Sequence, residues 1–187
     1  MSASTIQARK TIEDLARTEG KAELIGGRIV ALMASGLRPN LVAGRILRSL
    51  DDFAEATGQG AAYTGGMGYA VAELPSGRES FCADVSYYDG PLPSNPMSFV
   101  QGPPTFAVEV RSEGDYGPAA ERAILAKRLD YFAAGTLAVW DVDPIAQVIH
   151  AYRFDAPEHP AVFTLNDLAD AEPAMPGWRM AVARIFP

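Results

Sequence analysis

The chain has 187 residues, 48% of them hydrophobic and 21% charged, which suits one domain, 1–187, with a sizeable core. Its formal net charge of −7 argues against a protein that coats nucleic acid through excess lysine and arginine, though not against a site that gathers carboxylates around a cation. No apolar run is long enough to cross a bilayer, and a single cysteine, Cys82, excludes both an internal disulfide and a thiolate zinc cage.

The opening Met1-Ser2-Ala3-Ser4-Thr5 lacks the basic-then-apolar order of a secretory signal, so a cytoplasmic protein is expected. Thr11-Ile12-Glu13-Asp14 predicts the start of a short helix that ends near Gly20 and covers one edge of the core. Two apolar runs about Gly26-Gly27, over residues 22–32, predict a β-hairpin. Glu23, just inside its first strand, reads as a solvated or hairpin-end acid unless the fold brings it to Asp84. Apolar residues at Ala43, Ile46, Leu47, Leu50, Phe53 and Ala54 then predict a long helix after a turn at Pro39, stopped by Gly58. Arg45 and Arg48 fall between its apolar positions, where a solvated role is the common one. The glycines between residues 58 and 68 have neither the order of a phosphate loop nor that of a dinucleotide fingerprint, so nucleotide binding is not indicated.

A strand over 69–73 and a turn at Pro75-Ser76-Gly77 lead into a second strand, where Phe81, Ala83, Val85 and Tyr87 alternate with Cys82, Asp84, Ser86 and Tyr88. Asp84 is thereby placed at the centre of a half-buried strand, and Cys82 reads as core. The stretch 90–104 carries Pro91, Pro93, Pro96, Pro103 and Pro104, the signature of a long stiff loop of the kind that borders sites. Residues 104–112 form the next strand: Phe106, Val108 and Val110 make a wholly apolar face, while Ala107, Glu109 and Arg111 make the other. An ionised Glu109 there is costly unless compensated. Arg111, about 6 to 7 Å further along the same face, could neutralise it, so Glu109 is either an ion-paired structural residue or a ligand. Asp84 repeats the anomaly on a neighbouring strand, and two such carboxylates suggest a divalent-cation site for Mg²⁺ or Mn²⁺ with positions left for water and phosphate.

Pro118 predicts the first turn of a helix over 118–134, with Ile124, Leu125, Leu129 and Phe132 as its apolar stripe and Lys127 and Tyr131 on one flank. Gly135 ends it, and strands over 137–142 and 147–154 follow about the Asp143-Pro144 turn. Strand, helix, strand implies a crossover with a parallel pair inside a mixed sheet. Short strands near 161–165 and 178–182 close the chain. His150 and His159 support neither a histidine metal cage nor a Ser-His-Asp triad, and read as structural or solvent-exposed.

As a set, Asp84, then Pro104-Thr105-Phe106-Ala107-Val108-Glu109-Val110-Arg111-Ser112, then Lys127, Tyr131, Gly135, Trp140 and Asp143-Pro144 resembles the Uma-type restriction endonuclease family of the PD-(D/E)XK nuclease superfamily. The resemblance extends from Glu23 with its Gly-Gly hairpin to Pro176-Gly177-Trp178. It implies an α/β, restriction-endonuclease-like mixed β-sheet with flanking helices, and a metal-dependent endonuclease acting on DNA. Mg²⁺ would lie between Asp84 and Glu109, and the catalytic set would be Asp84, Glu109, Lys127 and Arg111. Arg111 stands where the superfamily has lysine; an arginine stays protonated, so it could orient water or stabilise phosphate but not take a proton. Lys127 matches the family's helical lysine and is the candidate for the migrated catalytic cation. Ala83 stands for the family's proline, and Asn40 for a frequent histidine. One site per chain facing two strands of DNA makes a homodimer the expected assembly. The competing reading is a catalytically inactive nucleic-acid-binding or protein-interaction module on the same fold, supported by the acidic balance and by Arg111.

Overall fold

The computed structural model describes residues 8–186; the opening segment read for a secretory signal lies outside them. Helix α1 (Ile12–Ala16) begins as its sequence predicts, with the Thr11 hydroxyl accepting from the Asp14 backbone N–H while the Asp14 carboxylate accepts from that of Thr11. The hairpin of β1 (Ala22–Ile25) and β2 (Arg28–Ala31) turns through Gly26 and Gly27 at φ 58° and 67°, a pair of left-handed residues that matches the twist of two tightly joined strands. Helix α2 (Leu37–Thr57) starts earlier than its apolar period implies. Pro39 lies within its first turn, where a backbone N–H needs no helical partner, so the proline does not exclude the residues before it.

After β3 (Ala61–Thr64) come β4 (Tyr69–Ala70), β5 (Ser80–Phe81), β6 (Val85–Tyr88), β7 (Val100–Gln101) and β8 (Phe106–Val110). Helix α3 (Pro118–Ala134) then crosses to β9 (Ala138–Asp143), followed by β10 (Val148–Arg153), β11 (Ala156–Phe163), β12 (Leu168–Asp170) and β13 (Arg179–Ala181). The central sheet has six strands in the order β11-β10-β9-β8-β6-β3; β8 and β9 are parallel across α3 and the other neighbours antiparallel. The mixed sheet with a parallel crossover pair is therefore present. A small sheet, β5-β4-β7, packs beside it, and the β1-β2 hairpin docks there through the Ile25–Arg78 bridge and the Glu79 N–H bond to the Leu24 carbonyl.

The alternation read in β8 is real, and its two faces enter two different cores. Phe106, Val108 and Val110 pack with Val42, Ile46 and Leu50 of α2 and with Trp140 and Trp178. Ala107 and Val139 pack on the other side with Tyr69, Phe81, Tyr88 and Tyr131. Other predicted elements also differ from their sequence reading, the strand read over 69–73 ending already at Ala70. The strand expected through Asp84 is broken: β5 ends at Phe81, β6 begins at Val85, and they belong to different sheets. Strand β11 runs longer than expected and holds Pro157 and Pro160, tolerable because it is the sheet's edge and half its N–H groups need no ladder partner. Helix α3 buries Arg128 and Tyr131, while Leu125 and Leu129 of the predicted stripe stay 38% and 39% exposed.

Candidate active site

Strands β6 and β8 pair Tyr87 with Phe106, Ser86 with Ala107 and Val85 with Val108, so one further step along this register sets Asp84 opposite Glu109. At that step β6 gives out. The Val110 N–H, which a continuing strand would engage, donates instead to Asp84 Oδ2 at 2.9 Å. A strand end replaced by its own side chain holds that carboxylate at the mouth of the sheet. Glu109, half-buried on β8, accepts at Oε1 from Tyr131 Oη at 2.6 Å and from Lys127 Nζ at 2.9 Å. Lys127 and Tyr131, one turn apart on α3, thus reach the same oxygen from the flank they share.

Glu23 joins them. It is 3% exposed; its Oε1 lies 3.1 Å from Lys127 Nζ and accepts from the Cys82 N–H at 3.0 Å, and its other oxygen pairs with Arg78. Arg78 also bonds Asp130 of α3 at 2.9 Å and lies against the Phe81 ring. The solvated role read for Glu23 is therefore overturned, because the hairpin folds back over residues 78–82 and carries the acid inward. What sequence reasoning missed was this hairpin-to-helix link through Arg78; the only local signal was an acid inside a short apolar strand, the same anomaly that marked Glu109.

Arg111 is not Glu109's partner, nor does it reach the site. Its guanidinium forks onto Asp141 with two bonds of 2.7 Å and also binds Glu121. Bidentate contact with a buried carboxylate of β9 outcompetes a neighbour on the same strand. Asp141 and Glu121 hold the Arg111 pKa up, and the structural pairing of Arg111 with Glu109 does not form.

The electrostatics follow from this packing. Burial, with Asp84 and Glu23 nearby, pushes the Glu109 carboxyl up to about 7 despite Lys127. Glu109 and Glu23 raise the Lys127 ammonium against its desolvation, so it stays charged. Burial first, then Glu23, raises the Cys82 thiol to about 11, which agrees with a core cysteine rather than a nucleophile. Asp84 Oδ1 and Glu109 Oε2 remain without a protein partner among the described residues. No three His, Cys, Asp or Glu residues group closely enough to form a ready metal cage among the described residues. Two carboxylates, each with one oxygen free and mutually repelling, are a donor set that suits a hard cation keeping several waters. Asp84 also lines a cleft of about 300 Å³ with Lys21, Asn40, Gly44, Thr64 and Gly65, which places Asn40 in the same cleft as Asp84. A larger cleft of about 610 Å³, between Ile12, Ala70, Leu74, Pro103 and Ala134, shares no lining residue with it; the proline-rich loop borders that one. His150 is half-buried and His159 exposed, and neither contributes to the carboxylate cluster.

The central mixed sheet with its parallel crossover pair and flanking helices is the architecture of the restriction-endonuclease-like class that the resemblance implied. The Uma2 family model, described as "Putative restriction endonuclease", matches residues 9–183, and the chain belongs to that family. A crystal structure described as a "putative nuclease belonging to DUF820" from Anabaena variabilis shares the fold, with a TM-score of 0.74 at 16% sequence identity over 94% of this chain and 97% of that one. No curated protein matches. Among the described residues no helix is long and apolar enough to cross a membrane.

Proposed function

We propose that this protein is a metal-dependent endonuclease that hydrolyses DNA phosphodiester bonds, with Asp84 and Glu109 as the ligands of Mg²⁺ or Mn²⁺. The observation that carries this reading is the pair of facing carboxylates, each with one free oxygen, of which Glu109 is pushed up to about 7 by burial and by Asp84 and Glu23 nearby. A bound Mg²⁺ or Mn²⁺ supplies Lewis-acid polarisation of the phosphate and a more acidic water. Tyr131 donates to Glu109 Oε1 and leaves its second oxygen without a protein partner among the described residues. Lys127 remains an ammonium, so it acts as a fixed positive charge and donor toward the developing negative charge, not as a base. Glu23, held by Arg78, keeps that ammonium in place. Arg111 has no part in the chemistry and serves to tie β8, β9 and α3 together.

The inactive-module reading drew on arginine in place of the usual lysine. That support weakens, since a different lysine, Lys127, stands 2.9 Å from Glu109. Plasmid DNA incubated with the protein should be nicked or cut with Mg²⁺ or Mn²⁺ and not with chelator. Millimolar metal should also raise the melting temperature, because it binds the folded state alone. Both effects should vanish in Asp84→Asn. A wild-type protein that melts cooperatively, gains no stability from either metal and cuts neither single-stranded nor double-stranded DNA would move the assignment to a binding module.

A further inference from the structure

We infer that Lys21 is a substrate-binding cation, and that the cleft it shares with Asn40 and Asp84 holds the phosphate of the DNA strand next to the bond being cut. This rests on the nuclease reading above. Around the carboxylates, Lys127 is engaged by Glu109 and Glu23, Arg78 by Glu23 and Asp130, and Arg111 by Asp141 and Glu121. Lys21 differs. It lines the cleft, is exposed, and forms no ion pair among the described residues, in a chain where acids outnumber bases by 23 to 16.

Gly65 leaves room for it. Its φ is outside the left-handed range, so the backbone does not require glycine, and it is the close space that favours one. A Cβ at Gly65 would stand 2.7 Å from Lys21 Nζ and 3.1 Å and 3.3 Å from the Asp84 carbonyl oxygen and Cα. The missing side chain is what lets an ammonium lie against the turn that carries Asp84. Across the cleft Asn40 presents an amide on α2, and one turn further Gly44 leaves the helix surface bare, with only Arg48 Nη1, at 3.9 Å, near the position of its absent Cβ. An uncommitted ammonium and an amide donor lining one cleft among small residues suit the non-bridging oxygens of a phosphodiester.

The test is affinity for a fluorescent DNA duplex and its single strand, measured with Ca²⁺ in place of Mg²⁺ across a salt series. Loss of one phosphate contact makes the slope of log K against log salt shallower by about 0.9 for duplex and about 0.7 for single strand. Lys21→Gln should show that change with an unaltered melting temperature, Lys21→Arg should keep the wild-type slope, and Gly65→Ala should reproduce part of the loss by displacing the ammonium. A Lys21→Gln slope equal to wild type would overturn this inference while leaving metal-dependent cleavage standing. Wild-type protein that binds neither DNA and cuts neither would overturn the nuclease reading and this one together.

Discussion

The two faces of the central sheet are built on opposite rules. On one, α2 lays Val42, Ile46, Leu50 and Ala54 onto Phe106, Val108, Trp140 and Trp178, an interior of aliphatic and ring carbons. On the other, α3 buries Tyr131 and Arg128 and directs Lys127 at Glu109 and Glu23, so part of what it covers is charge. The apolar face gains stability from every atom removed from water. The charged face pays in desolvation and recovers only part of it by ion pairing, as the raised Glu109 carboxyl records. Stability belongs mainly to one side of the sheet and the proposed chemistry to the other.

Truncation on each side breaks the comparison most directly. Trp178→Ala removes a ring that is 2% exposed and should cost about 3–5 kcal/mol in urea unfolding, with metal-dependent cleavage per folded molecule unchanged. Lys127→Ala should do the reverse: cleavage falls by about 10²–10³-fold, while stability drops by less, because Glu109 can take up a proton when its partner is lost. Equal losses of activity in both variants would show that the two faces are not functionally separate.

A gentler change sharpens the contrast through pH. The Glu109 carboxyl goes from an ordinary 4.5 in the unfolded chain to about 7 in the fold, so the folded state binds the extra proton and stability falls as pH rises from 4.5 to 7. Above that window the full penalty, about 3 kcal/mol, is in place. Glu109→Gln should therefore melt higher than wild type at pH 8 without metal, match it near pH 4, and cut no DNA. A lower melting temperature at pH 8 would mean that Glu109 is a net structural partner after all.

The smallest effect is expected at Arg111, on the charged side but outside the carboxylate pair. Arg111→Lys gives up the fork onto Asp141 and should cost about 1.5 kcal/mol, leaving cleavage as it was. Higher activity in that variant would return the site to the lysine position next to Glu109.

Elements whose periods answer to a single apolar face were legible in the chain: α2, the Gly26-Gly27 hairpin, the alternation of β8 and the crossover of β8, α3 and β9 all follow from local pattern, because burial of a stripe or a face imposes its spacing on the residues. Asp84 and Glu109 were legible for the opposite reason, as charges set where apolar residues belong. What only the tertiary structure decided is which cation meets which acid. Strand spacing put Arg111 within reach of Glu109, Lys127 was a candidate only through the family resemblance, and the choice depended on Asp141 of β9 and Glu121 of α3 capturing the arginine while α3 carried Lys127 inward. Glu23 joined the charge cluster only because its hairpin folds back over Arg78, a partner 55 positions away. Local periodicity reports burial within one element, whereas ion pairs are settled between elements, by whichever opposite charges the packing leaves closest and driest.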